Sequence, residues 1–448
     1  MGIAGHCEFC CFYTMKTASY GHLKVELQSQ LHGLRVWTKF RPKNRTPKEM
    51  FMPDVDLDFS RQEYADRLVK VRAAMDRSGI EVLFSCDPSN MAWLTGYDGW
   101  SFYVPQGVLI GPSGDPIFWG RGMDAVGATK TCYMDMANII GYPDDLVMNP
   151  EHHAMTHLAG VIRDLGWGAH RFGVELDNYY YSAKAHAVLT NDLGNNYADA
   201  TSLVNWCRAV KSETELKYMR RAAQISELMQ AKILEIFEPG KRKNEVVAEI
   251  YHTAIWGGEE NGVPFGGDYA AICPLVPTGD EAAAAHLTWN DKPIPNNSGT
   301  FFEISGCYRR YHAPLCRTIW LGKPPAEVAH AESVIVEGIA AGIEAARPGN
   351  TAGDVARAFY AVLNANGIKR EGRCGYPIGL SYPPDWGERT FSIRPSDATV
   401  LEPNMTFHFM PALWMADWGL EITETMRIRS AGAAEPLTNY PRKMFVKD

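Results

Sequence analysis

From residue 61 the apolar positions fall into a helical rhythm. Tyr64, Leu68, Val71 and Met75 recur every three or four residues with Arg and Lys between them, and Ser78-Gly79 ends the run. Ile80–Phe84 is an apolar run of strand length, followed by a turn at Asp87-Pro88-Ser89-Asn90. Val104–Ile110 reads as another strand, with Pro116–Trp119 as its hairpin partner across Gly111-Pro112-Ser113-Gly114-Asp115. Helical spacing returns at Met155–Leu165 and at Tyr179–Thr190, on either side of a strand at Arg171–Val174. Strands alternating with helices predict an α/β domain whose helices cover its sheet.

The pattern changes after Leu203–Arg208. Ser212 and Glu215 have the spacing of a capping box, and the helix they open, about Leu216–Phe237, stops at Glu238-Pro239-Gly240. A second helix is expected at Asn244–Thr253. Ala326–Ala346 and Thr351–Asn366 repeat the scheme, ended by Arg347-Pro348-Gly349 and by Gly367. Helix, Pro-Gly stop, helix and then strands thus occurs twice, a sign of internal pseudo-symmetry. Strands are expected at Gly299–Ser305, Arg317–Leu321, Met405–Pro411 and Leu420–Arg427, giving an α+β domain with a curved, mostly antiparallel sheet. Residues 1–50 have no clear period and carry Lys16, Lys24, Lys39, Arg41, Lys43, Arg45 and Lys48 with few acids. The expected organisation is a poorly ordered extension over 1–55, an α/β domain over 56–205 and the α+β domain over 206–448.

The chain has 448 residues, enough for two domains with true cores. Its charge of −8, from 44 basic and 52 acidic side chains, leaves no basic stripe for nucleic acid. No 18-residue apolar run predicts a membrane span. Ten cysteines are too few for a disulfide scaffold and suit reduced thiols. With no apolar run and small-residue cleavage site near the N-terminus, the expected location is the cytoplasm. His6-Cys7-Glu8-Phe9-Cys10-Cys11 contains a Cys-x-x-Cys, but no second Cys/His pair follows at zinc-ligand spacing.

Candidate chemistry collects in the second domain. Glu303 lies between Phe302 and Ile304 in a strand, where a carboxylate is costly unless it meets a cation or donors. It is either an edge-strand surface Glu or a functional inward one, and Glu421 and Glu424 in a comparable strand favour the second reading. His286 in a loop, His312, and His408 between Phe407 and Phe409 are each open to a catalytic or a merely packed role. Trp100, Trp386, Trp414 and Trp418 sit in polar, turn-rich segments, where an indole face can wall a cation pocket or simply pack. Asp268, Tyr376, Asp385 and Arg389 complete the polar segments. No phosphate-binding loop, dinucleotide fingerprint, His-Glu-x-x-His or nucleophile elbow is present.

These segments resemble the pita-bread family of methionine aminopeptidase, prolidase and creatinase over roughly residues 60–445. That resemblance implies a creatinase/prolidase-type N-terminal domain and a pita-bread catalytic domain. The family's metallopeptidases hold two metals with two Asp, one His and two Glu. Read onto this chain, those positions are Glu303, Pro314, Tyr376, Met410 and Thr423, with Glu421 or Glu424 in reach if the register slips. Pro and Met cannot replace carboxylates, so the expectation is no metal and no cofactor. The general-base His of the metal-free creatinase corresponds to His286.

Residues 87–103, 301–312, 382–390 and 417–424 resemble, more closely, the ectoine hydrolases within that family. What this implies is hydrolysis of a small cyclic amidine, ectoine or 5-hydroxyectoine, to N-acetyl-2,4-diaminobutyrate. Glu303 and Glu421 would face the amidinium, with Trp386, Trp100, Asp385 and His312 around it. Arg317 or Arg389 would take the substrate carboxylate. The nucleophile is either water activated by His286 or the Glu303 carboxylate itself, and Tyr376, His408 or Asp268 supplies the leaving-group proton. A homodimer and a downstream deacetylase are the implied partners. The competing readings are an Xaa-Pro dipeptidase, a dimethylsulfoniopropionate lyase and a non-catalytic binding module.

Overall fold

The computed structural model describes residues 55–448. The readings made for the N-terminal extension and for the His6–Cys11 segment lie outside the described residues.

The N-terminal part is built on one six-stranded sheet. Helix α1 (Arg61–Arg77) starts where the Ser60 hydroxyl accepts from the Glu63 amide, and it leads into β1 (Val82–Ser85). The expected turn at Asp87–Asn90 is instead the opening of helix α2 (Pro88–Thr95). Asp87 caps it by accepting from the Ser89 amide, Pro88 occupies the first helical position, and Gly96 ends it at φ +84°. The sequence supplied a helix start that reads equally well as a turn. Strands β2 (Gly107–Ile110) and β3 (Ile117–Arg121) form the expected hairpin. Helix α3 (Gly122–Thr131), β4 (Ile139–Tyr142), α4 (Ala154–Asp164) and β5 (Phe172–Val174) follow. Helix α5 (Ala183–Leu193) begins four residues later than its periodicity suggested, because Ser182 caps it. Strand β6 (Tyr197–Asp199) completes the sheet order β4-β3-β2-β1-β5-β6, antiparallel only where β2 pairs with β1 and β3.

Helix α6 (Leu203–Arg208) leads into the long helix α7 (Glu213–Ile236). Both bonds of the capping box form: the Ser212 amide donates to Glu215 Oε2 at 2.7 Å and the Glu215 amide to Ser212 Oγ at 3.2 Å. Helix α8 (Lys243–Trp256) and a small hairpin of β7 (Gly258–Glu260) and β8 (Val263–Phe265) come next. Strands β9 (Gly299–Tyr308) and β10 (Tyr311–Leu321) pair over ten registered positions, from Tyr311 opposite Tyr308 to Trp320 opposite Gly299. Arg309 and Arg310, at φ +51° and +66°, make the two-residue turn between them. Helices α9 (Ala326–Ala345) and α10 (Ala352–Ala365), both expected from the pattern, pack on each other.

Short strands close the domain: β11 (Gly375–Pro377), β12 (Thr406–Phe409), β13 (Ala412–Trp414), β14 (Gly419–Glu421), β15 (Glu424–Arg427), β16 (Glu435–Pro436) and β17 (Phe445–Lys447). All their pairings are antiparallel except β10 with β17. The single strand expected over Leu420–Arg427 breaks at Ile422-Thr423. There Thr423 accepts from the Cys316 amide through Oγ1 (2.8 Å) and its own amide donates to the Cys316 carbonyl (3.1 Å). That cross-link to β10 lets β14 pair with β13 while β15 pairs with β12.

Between the two parts lies a buried cluster of charge. Glu388 accepts from Lys211 Nζ at 2.8 Å and from Arg208 Nη2 at 3.3 Å, and all three side chains are 1% exposed. Arg208 also donates to Asn90 Oδ1 (2.8 Å) and to the Leu380 carbonyl (2.7 Å). This cluster ties α2 and α6 to the loop that carries Asp385 and Trp386. Among the described residues no helix is long and apolar enough to cross a membrane.

Candidate active site

Two strand pairs and one loop converge on a buried polar cluster. Glu303 sits in mid-β9, opposite Cys316 of β10, and its backbone also bridges Leu275 on the other side. It is therefore not an edge-strand surface residue: only 5% of it is exposed. Glu421, fully buried at the end of β14, has its amide and carbonyl fixed by Thr318 Oγ1 (2.8 and 3.0 Å). Neither of its carboxyl oxygens has a hydrogen-bond partner among the described residues. A buried carboxyl left unpartnered in a folded protein points to a missing donor.

Burial pushes both carboxyls up. Glu303 rises to about 7, chiefly through loss of water and secondarily through the negative charge of Asp385. Glu421 is raised well above the usual range by burial and then by Glu303. Both shifts favour the neutral carboxyl, more strongly at Glu421.

Beside them runs a short relay. Strands β11 and β12 place Tyr376 opposite His408. Trp386 Nε1 donates to the Tyr376 hydroxyl at 2.8 Å, and the hydroxyl shares a hydrogen bond with His408 Nδ1 at 3.0 Å. His408 Nε2 has no partner among the described residues. His408 Nδ1 lies 4.0 Å from Glu303 Oε1. Burial, with help from the Arg373 charge, lowers the imidazole to about 3. On the other side of the Trp386 ring, His312 uses Nε2 to accept from the Ala271 amide (2.9 Å), which leaves its proton on an equally unpartnered Nδ1. It too is held near 3, by burial and by Arg310. The two buried carboxyls, with neutral His408 and His312 each beside the Trp386 indole, are groups that can hold a planar cation and polarise it.

A cleft of about 270 Å³ shares Tyr376 with this cluster and is lined also by Asp385, Arg373, Arg389, Thr390 and Asp177, among others. Asp385 is half-buried at its edge and accepts from the Gly387 amide at 2.9 Å.

Other residues singled out from the sequence lie elsewhere. Arg317 is buried, and all five of its N–H donors are engaged: by Pro441, Cys316, Thr423 and Tyr440 carbonyls and by Glu424 Oε1 at 2.8 Å. No fork remains for a substrate carboxylate, so Arg317 is corrected to a structural role, and Glu424 with it. Arg389 pairs with Asp177 at 3.0 Å and lies over the Tyr179 ring. Asp268 is taken up by Arg310, at 3.5 Å. Trp100 is 59% exposed and packs edge-on against Tyr269 outside the cluster. His286 is exposed in the turn after the short helix at Gly279–Ala283. Its position in a loop gave no sign of which way it faced. Sequence reasoning passed over Arg373 and Glu388, although each stands within three residues of a residue it did select.

A dinuclear metal centre does not fit these residues. Pro314 and Met410 offer no ligand atom for such an ion, and Thr423 Oγ1 is occupied by the Cys316 amide. Among the described residues no three His, Cys, Asp or Glu side chains gather in metal-binding geometry.

This α/β sheet joined to a pita-bread sheet, with a buried acid pair at its centre, defines the class of the protein: the chain belongs to the pita-bread (creatinase/prolidase) family and is a hydrolase. Residues 67–210 match the creatinase/prolidase N-terminal domain and residues 217–430 match metallopeptidase family M24. More particularly, the chain is similar to an ectoine hydrolase of Halomonas elongata, 56% identical over 401 residues that span 88% of this chain and 100% of the relative. An uncharacterised hydrolase/peptidase of Sinorhizobium fredii is 41% identical over 88% of this chain and 99% of its own length. The solved Xaa-Pro dipeptidase from Bacillus anthracis superposes with a TM-score of 0.69 at 19% identity, covering 86% of this chain and 100% of that one, and so shares the fold.

Proposed function

We propose that this chain hydrolyses the cyclic amidine ectoine to N-acetyl-2,4-diaminobutyrate without a bound metal. The observation that carries the reading is the buried pair Glu303 and Glu421, with the latter's two oxygens unpartnered. An amidinium presents two N–H donors on one planar cation, which is what such a pair lacks. The similarity to the Halomonas elongata enzyme supplies the substrate.

On binding, the substrate's charge favours ionised Glu303. Attack on the amidine carbon then comes from Glu303 itself or from a water that Glu303 deprotonates. His286, the base suggested by the resemblance, lies too exposed to be the better choice. His408, whose Nδ1 lies 4.0 Å from Glu303, is held through Tyr376 and Trp386 to stabilise charge on the carbon's substituents. One ring C–N bond breaks as its nitrogen takes up a proton, and water supplies the oxygen of the resulting acetamide. The same reading makes the working form a cytoplasmic homodimer and leaves a product that a deacetylase would consume.

Incubation with ectoine, followed by NMR, should show ring opening at unchanged rate after exhaustive chelation. Loss of activity on chelation and its recovery with manganese or iron would overturn the metal-free reading. The pH profile tests the acid pair. kcat/KM is expected to rise with pH through about 7, as Glu303 loses its proton, with no limb from His408, which is already neutral there. A profile flat from pH 5 to 8 would contradict the role given to Glu303.

A further inference from the structure

The proposed substrate is a zwitterion, so a site that holds its amidinium must also hold, or at least admit, a carboxylate a few bonds away. Of the two arginines that the sequence suggested, Arg317 is taken up by five structural bonds, and Arg389, which lines the cleft, is already paired with Asp177. The cleft that shares Tyr376 with the cluster, and whose Asp385 acts on Glu303 through its charge, offers a different pair of groups. Arg373 is exposed, lines the cleft, and places its guanidinium 4.6 Å from the centre of the Tyr376 ring. Its side chain has no hydrogen-bond or ion-pair partner among the described residues, although several acids lie on the same face of the domain. It is nevertheless well placed rather than loose. Arg370 donates to the Arg373 carbonyl at 3.1 Å while it also binds the Ala412 carbonyl at 2.7 Å, which pins this loop to the start of β13.

The second group is Thr390. Its hydroxyl oxygen is buried, lines the same cleft, and is without a partner. A buried hydroxyl left unsatisfied, facing a cleft beside a free guanidinium, is the donor set of an anion seat. Tyr376 connects the two ends: its ring lies under Arg373, and its hydroxyl bonds His408, which stands 4.0 Å from Glu303.

Resting on the function proposed above, we infer that Arg373 and Thr390 form the seat for the substrate carboxylate and so select amino-acid-like amidines over plain ones. The carboxylate is held at the cleft mouth by the planar guanidinium fork and by the Thr390 hydroxyl. The amidinium then points down past Tyr376 to Glu303 and Glu421.

The test compares ectoine with the same ring lacking its carboxylate, 2-methyl-1,4,5,6-tetrahydropyrimidine, each measured by turnover and as a competitive inhibitor. Arg373→Met is expected to lower kcat/KM for ectoine by about 10–100-fold, the scale of a hydrogen bond to a charged group, mainly through KM. Its effect on the inhibition constant of the decarboxylated ring should be at least ten times smaller. Arg373→Lys keeps the charge without the fork and should fall between. Thr390→Val should show the same selectivity with a smaller loss. Equal losses on both compounds would overturn the assignment, because a structural defect does not distinguish them. If the parent enzyme opens ectoine and Arg373→Met is as active as the parent, the seat lies elsewhere. If the parent does not open ectoine, the proposed function falls first and the seat with it.

Discussion

Glu303→Gln should lose two to four orders of magnitude in kcat/KM toward ectoine and yet unfold at a higher temperature than the parent at pH 8. The loss follows from chemistry. Gln keeps the size and one acceptor of the side chain but cannot ionise, so it neither neutralises an amidinium nor acts as base or nucleophile, a contribution of about 10²–10⁴. The gain follows from linkage. The carboxyl titrates near its ordinary value of 4.5 in the unfolded chain and near 7 when buried in the folded one. The folded state thus holds the proton more tightly. The stability this lends is fully present below about 4.5 and is lost as pH rises through 7. Glutamine carries no such liability, so the two unfolding curves should approach one another toward pH 4 and separate by pH 8, with the variant on top. Measured together, the two effects discriminate between roles. A residue that merely packs would lose stability along with activity, whereas a functional acid held in a costly place exchanges one for the other. A variant that is both inactive and less stable at pH 8 would remove Glu303 from the mechanism.

The residues that the sequence disclosed best are those whose signal is local. Ser212 and Glu215 announced their helix because a capping box is complete within four residues, and both of its bonds are present. Glu303 stood out because a carboxylate between Phe302 and Ile304 conflicts with its own strand. The conflict is real, since the strand is paired on one side and bridged on the other. Asp87-Pro88 misled because a capping Asp followed by Pro begins a turn and a helix in the same way. Only the burial of the residues after it, which fill the space under β2, decides in favour of the helix. Arg317 misled for the opposite reason. An arginine near the end of a strand looks available until the chain returns more than a hundred residues later and surrounds it with carbonyls. His286 and Arg373 mark the same limit. Which way a loop side chain faces is set by what packs beneath the loop, and nothing in the neighbouring residues encodes it.

The buried charges behind the site carry the second large effect. Glu388→Gln is expected to cost about 3–5 kcal/mol of folding free energy, read from urea unfolding, because it leaves Lys211 and Arg208 buried without a counter-ion. Glutamine can still accept from one of them, but it cannot offset two positive charges that water does not reach. The other partners are carbonyls and amides: Lys211 Nζ donates to the Arg208 and Ala209 carbonyls at 2.9 and 3.1 Å, and Arg208 to Asn90 and Leu380. These satisfy hydrogen bonds without neutralising charge. The damage should not be confined to stability. Glu388 follows Trp386 by two residues, its amide donates to the Pro377 carbonyl at 2.9 Å, and its own carbonyl accepts from Asn205 at 2.9 Å. It therefore sets the loop on which Trp386 reaches Tyr376 and Asp385 reaches the cleft. Lys211→Met combined with Glu388→Gln removes one buried cation together with the anion, and should recover part of the lost stability relative to Glu388→Gln alone. A Glu388→Gln protein with an unchanged urea midpoint would mean that water or a relaxed backbone reaches this cluster, and that the two parts of the chain are held together by apolar packing instead.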